Sequence, residues 1–100
     1  MRSPLQEIPG VGERIAAVME ALGIHQVSDL RGRDPEELYR QECLYKGFQE
    51  DRCALYVWRL AVYYAENPVR EDKKLKWWYW KDHPYPPENT EEPQDRKSVV

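Results

Sequence analysis

The sequence predicts an all-α fold, a compact domain of five to six helices, and three observations predict it. Apolar residues recur at helical spacing, no stretch sustains the alternation of a strand, and capping residues punctuate the chain where helices would start and stop. No internal repeat stands out. One hundred residues allow one domain with a modest core.

Ser3 opens the first helix as N-cap, with Pro4 at the first helical position and Gln6 completing a Ser-x-x-Gln capping box. Pro9 stops that helix near Ile8. A second helix, from about Glu13 to Leu22, carries Ile15, Val18, Met19 and Leu22 as one apolar stripe. Gly23 and Ile24 then form the pattern of a Schellman stop. A short third helix covers Val27 to Arg31. Asp34-Pro35-Glu36-Glu37 starts a fourth with a further cap, placing Glu37 in the capping position, and Gly47 ends it. The fifth helix, roughly Glu50 to Glu66, is apolar nearly all round, as befits the buried centre of a domain. Asn67-Pro68 ends it. Asp72 to Lys76 is read as one helical turn leading into Trp77-Trp78-Tyr79-Trp80. From Pro84 onward the chain is rich in Pro and Glu and has almost nothing to bury, so the domain is placed at residues 1–83 and an extended tail at 84–100.

Composition narrows the function classes. Hydrophobic residues are 41% and charged residues 33%, as in a folded soluble chain. No apolar run reaches the roughly 20 residues that span a bilayer, and no signal-peptide core follows Met1, so a cytoplasmic location and no membrane partner are expected. The net charge of −3 argues against a strong electrostatic nucleic-acid binder. Its distribution leaves room for a weaker one. Residues 1–82 hold 13 basic and 14 acidic side chains, the remainder 2 and 4, and a local cluster gathers at Arg70, Lys73, Lys74, Lys76 and Lys81.

The most informative stretch is Leu5-Gln6-Glu7-Ile8-Pro9-Gly10-Val11-Gly12-Glu13-Arg14-Ile15-Ala16. A helix that starts after two glycines leaves its first amides unpaired, adds the positive end of its dipole, and has no Cβ to keep a phosphate away. The amides of Gly10, Gly12, Arg14 and Ile15 would face one phosphate region, while Glu13 opposes an anion and Arg14 offsets it in part. The candidate DNA-binding residues are therefore Pro9, Gly10, Val11, Gly12, Arg14 and Ile15, supported by Lys73, Lys74 and Lys76. The order short helix, glycine turn, amphipathic helix resembles the helix-hairpin-helix motif. That resemblance implies backbone contacts to duplex DNA and a monovalent cation held by the carbonyls of Gln6, Ile8 and Val11. No other cofactor is expected.

A wider resemblance spans Leu5 to Asp82. It is carried by Ile8-Pro9-Gly10-Val11-Gly12, by Asp51-Arg52-Cys53-Ala54-Leu55-Tyr56-Val57, by Ala61-Val62-Tyr63-Tyr64-Ala65 and by Leu75-Lys76-Trp77-Trp78-Tyr79-Trp80-Lys81-Asp82. These residues are similar to the small bacterial "pathogenicity locus" family, also labelled as mitomycin resistance proteins. The family implies a helix-hairpin-helix fold and a DNA-related role. The hairpin half is also similar to the C-terminal domain of the TfoX competence regulators.

Four Trp and seven Tyr against one Phe form a skewed aromatic set. Lys74 to Lys81 interleaves lysines with Trp77, Trp78, Tyr79 and Trp80. The run reads either as a stacking platform for single-stranded bases or as rings folded back over a small core, with the second favoured. Enzyme chemistry is not expected. Glu36-Glu37 point to different helix faces, Glu50-Asp51 sit at a helix start, and no Ser/His/Asp or Cys/His set stands out. Cys43 and Cys53 are read as small buried hydrophobes, and His25 and His83 as structural or exposed. Two functions remain open. One is a non-sequence-specific DNA-binding module or accessory protein. The other is a protein-interaction domain, monomeric or weakly dimeric through the aromatic cluster.

Overall fold

The computed structural model describes residues 3–85. They form three α-helices: α1 (Glu13–Ala21), α2 (Pro35–Lys46) and α3 (Arg52–Glu66). Four 3-10 turns, Pro4–Glu7, Val27–Leu30, Asp72–Leu75 and Trp77–Lys81, complete the described structure, which contains no strand. The all-α class is correct, and the count of five to six helices is corrected. The segments expected as the first, third and last helices are too short to close the 13-atom rings of an α-helix and wind as single 3-10 turns instead.

The caps explain where each element begins. Ser3 accepts from the Leu5 amide at 3.2 Å while its own amide donates to Gln6 Oε1 at 3.1 Å, closing the capping box. After α1, Ile24 N–H donates to Met19 C=O at 2.9 Å and Gly23 N–H to Glu20 C=O at 3.0 Å. With Gly23 at φ +90°, this is the Schellman stop read from the sequence. Asp34 caps α2 through the Glu36 amide at 3.0 Å. Glu37 does not complete that cap. It reaches forward along the helix to Arg40 and Gln41 instead, and the Arg40 guanidinium holds its carboxyl below the usual carboxylate range. Asp51 caps α3 through the Cys53 amide at 2.8 Å.

Seven consecutive residues of α3, Val57 through Tyr63, are buried, which closes every face of the helix to solvent over two turns. Against it pack α2, the Val27–Leu30 turn and both C-terminal turns. The core joins Leu5, Ile8, Val11, Met19 and Ile24 from the N-terminal part to Leu38, Leu55, Leu60, Val62 and Trp80. Two charged side chains are buried within this frame. Glu42 accepts from the Trp58 indole at 2.9 Å and pairs with Lys46 at 2.9 Å. Arg59 donates to Trp80 C=O at 2.6 Å and pairs with Glu36 at 3.0 Å, while its Nε has no partner among the described residues.

The cysteines divide. Cys43 is half-buried against the core, its sulfur accepting from the Glu50 amide at 3.3 Å, whereas Cys53 is exposed, which corrects its expected burial. Cys53 lies in the first turn of α3, outside the run over which the helix is covered. Asp51 beside it pushes its thiol up, so it is not an activated thiolate. The expected tail lies outside the described residues except for Pro84 and Tyr85. Tyr85 packs edge-on against Trp80 at 5.7 Å and Tyr63 at 6.0 Å and donates to Glu66 at 2.6 Å.

Candidate nucleic-acid interface

The turn between Glu7 and α1 is built on two buried anchors, Leu5 and Ile8. They fix the Pro4–Glu7 segment against the core, and Pro9 directs the chain outward. Val11 N–H then donates to Ile8 C=O at 3.0 Å, closing a tight turn whose tip is Gly10 at φ +87°. That left-handed backbone is the reason for a glycine at Gly10. Val11 dips back into the core at 5% exposure, so its neighbours Gly10 and Gly12 are held at the surface.

Gly12 has a different reason. Its backbone is extended, with φ −96° and ψ −170°, which any residue adopts. A Cβ there would meet no atom within 4 Å. The glycine is therefore required neither by strain nor by packing; it is the N-cap of α1, a position that favours glycine over larger apolar residues, and it leaves open the approach to the start of the helix. The first intrahelical bond runs from Ala16 N–H to Gly12 C=O at 2.9 Å, so the amides of Glu13, Arg14 and Ile15 precede the helical ladder. Ala16 is 2% exposed, and its small side chain lets α1 settle on the core.

A groove of about 500 Å³ opens beside this helix start. Gly12, Glu13, Arg14, Ile15 and Val18 form one side and Glu42 and Lys46 of α2 the other, so the Glu13 carboxylate faces the same groove as Arg14. Lys46 and Glu42 are site neighbours that the sequence reading missed. The available signal was Glu42 itself: it stands four residues after Leu38 and three after Tyr39, on the buried stripe of α2, where a carboxylate needs partners. Lys46 is not a free cation. It is shared between Glu42 at 2.9 Å and Glu50 at 2.5 Å, and these carboxylates hold its ammonium above the usual lysine range. Arg14, exposed beside Glu13, forms no ion pair among the described residues.

The basic segment is also partly committed. Lys73 and Lys74 flank Glu71 at 3.7 and 2.9 Å, and Lys76 lies 5.8 Å from the Trp78 ring. The residue that meets the hairpin side is Arg70. Its guanidinium lies 3.5 Å from the Tyr64 ring centroid and donates to Tyr64 C=O, while the Tyr64 hydroxyl donates to Glu7 at 2.9 Å. Burial and the Glu7 carboxylate push that phenol up. Tyr64 thus ties the turn before Pro9 to the start of the basic segment.

The tryptophan run follows the favoured expectation in part. Trp80 is buried at 3%, Trp77 and Tyr79 pack partly on the core, and Trp78 stays 57% exposed. The acidic pairs weighed for enzyme chemistry are engaged: Glu36 by Arg59, Glu37 by Arg40, Glu50 by Lys46, and Asp51 by its helix cap. Among the described residues no group of three or more His, Cys, Asp or Glu gathers as a metal site. Among them, too, no helix is long and apolar enough to cross a membrane.

A small all-α domain with a glycine turn feeding α1 is thus the class of protein defined by fold and site. Residues 2–84 match the model of the pathogenicity locus (Cdd1) family, and the chain belongs to that family. The mitomycin resistance protein McrB of Streptomyces lavendulae is 35% identical over 79 residues, covering 78% of this chain and 70% of the relative. No solved structure matches the chain significantly.

Proposed function

We propose that the chain is a non-enzymatic DNA-binding module or DNA-transaction accessory protein, and that the turn at Pro9–Gly12 with α1 is a helix-hairpin-helix unit. In this reading the amides of Gly10, Gly12, Arg14 and Ile15 hold one phosphate of a duplex backbone, without reading bases. Pro9 and Val11 set the turn, and Arg14 supplies the nearest mobile positive charge. A monovalent cation at the carbonyls of Gln6, Ile8 and Val11 would add charge of the sign that Glu13 removes. Lys73, Lys74 and Lys76 contribute at longer range, with Arg70 and Tyr64 connecting their segment to the turn.

The observation that carries the reading is the open start of α1: Gly12, its N-cap, carries no Cβ and lies at the surface, so the unpaired amides that follow it are reachable from outside the fold. The acidic balance limits the affinity. Binding to a labelled duplex is expected to be weak and to fall with salt with a log–log slope of about −1 to −2, the signature of one or two phosphate contacts. Fluorescence anisotropy across a salt series measures it, and an absence of binding at low ionic strength would remove the reading.

A protein-interaction role is the second reading, favoured by one observation. Leu44, Tyr45 and Phe48 expose 82%, 59% and 58% of their surface at the end of α2. Apolar clusters of this kind mark contact surfaces. A concentration-dependent sedimentation coefficient would support self-association through them, and a strictly monomeric chain would exclude a homodimer.

A further inference from the structure

A second cavity, of about 550 Å³, lies beside the C-terminal half of α3, away from the Gly12 turn. Its size falls within the roughly 300–1,000 Å³ typical of small-ligand sites. Tyr63, Trp80 and Tyr85 wall it with rings that brace one another: Tyr63 and Trp80 tilted at 5.2 Å, Trp80 and Tyr85 edge-to-face at 5.7 Å. Tyr79 adds a fourth ring, edge-on to Trp80 at 5.0 Å and stacked on the His83 imidazole at 4.0 Å. Walls locked in this way are preorganised for a flat ring, because no rotamer has to be frozen on binding.

The polar groups of this cavity are few and placed at its edge. Lys74 lines it with its Nζ 5.6 Å from the Tyr63 centroid, and one contact of that ammonium goes to Glu71 at 2.9 Å. An ammonium has three donors, so two remain for an anion. Glu71 holds the Lys74 ammonium above the usual lysine range, which keeps it charged at neutral pH. Asn67 donates from Nδ2 to Tyr63 C=O at 2.9 Å and to the Tyr85 hydroxyl at 3.3 Å, which leaves its side-chain oxygen as an acceptor for a ring amine.

We propose that this cavity binds one nucleotide, its base against the half-buried Tyr79 and Tyr85 rings, which the buried Trp80 backs, and its phosphate at the Lys74 ammonium. The nucleotide is either free or an unpaired unit of a single strand, since both present the same ring and phosphate. The site shares no lining residue with the Gly12 groove; Lys74 is the one residue also named for longer-range duplex contacts, so Gly12→Val and Tyr79→Leu separate the two sites.

The test is an NMR titration that follows the indole N–H signals. Trp80 donates its indole N–H to Lys74 C=O at 3.0 Å, whereas the Trp58 indole is bound to Glu42 at 2.9 Å, outside the cavity. Adenosine monophosphate is expected to shift the Trp80 signal saturably below about 10 mM and to leave Trp58 in place. Lys74→Gln should weaken the monophosphate at least about fivefold while leaving adenosine unchanged, and Tyr79→Leu should weaken both. Gly12→Val should change neither. A short single strand that binds more tightly than the monophosphate assigns the strand as source, and the reverse order assigns the free nucleotide, both within the proposal. A Trp80 signal unmoved by either probe overturns it. So does inorganic phosphate binding as well as the monophosphate, or a Lys74→Gln variant that binds the monophosphate as the native chain does.

Discussion

Gly10 and Gly12 are two positions apart and are glycine for different reasons. At Gly10 the constraint is torsional: φ is +87° and the space around a Cβ is empty. Gly10→Ala is therefore expected to lower stability by about 1 kcal/mol, from backbone strain alone. At Gly12 neither constraint applies, and Gly12→Ala should cost only about 0.5 kcal/mol, as a poorer N-cap of α1. Thermal or urea unfolding of the two variants checks the pair. Equal losses would mean that Gly12 also has a structural task. The Pro-Gly-Val-Gly string was legible in the sequence as a turn, because glycine and proline act locally on φ and on the helix ladder. Which glycine serves the fold and which serves the surface was not legible, since that depends on the torsions and on what lies around each one.

Among the elements, α3 was the easiest to read and its partners were the hardest. An apolar run with few polar breaks announces a central helix, and the buried stretch Val57–Tyr63 bears this out. Arg59 within that stretch was not singled out. Its partners, Glu36 and Trp80, are 23 and 21 residues away in sequence, and no local pattern connects them. In the fold it fastens the Trp77–Lys81 turn and the start of α2 to α3, and its guanidinium is buried. Arg59→Met is expected to destabilise the chain by roughly 2–4 kcal/mol, because it abandons the Trp80 carbonyl and frees a turn that helps close the core. Loss of near-ultraviolet circular dichroism from the tryptophans, together with the lowered midpoint, is the readout. Unchanged values would show that ring packing alone holds the turn. The short helices failed for a related reason: a cap such as Ser3 marks a start, but nothing local fixes how many residues follow before tertiary packing turns the chain.

At the scale of the molecule, the aromatic surplus becomes a C-terminal seal over α3, completed by Tyr85. Burial and the Glu66 carboxylate push the Tyr85 phenol from 10.0 up to about 12. Below about pH 10 both folded and unfolded chains keep this proton, and its stabilising effect is intact. Between about 10 and 12 the unfolded chain releases it while the folded chain does not, so stability falls as pH rises. Tyr39 and Tyr64, also pushed up by burial, act in the same direction. Unfolding midpoints measured from pH 9 upward should decline, and Tyr85→Phe should flatten that decline. An unaltered slope would show that Tyr85 is open to water.

The whole molecule also sets what its glycine turn can do. A net charge of −3, a Lys46 shared by two carboxylates, and lysines 73 and 74 beside Glu71 leave little long-range attraction for a polyanion. Recognition of DNA must then rest on the short-range amides at the start of α1, and that is the central claim. The most direct measurement compares duplex binding by the native chain and by Gly12→Val at low ionic strength, with unfolding midpoints recorded for both. The account predicts weak, salt-sensitive binding by the native chain and at least about a tenfold loss in the variant, which stays folded with a stability loss of only about 1 kcal/mol from the poorer N-cap. Equal binding by the two chains, or none by the native chain, would contradict it.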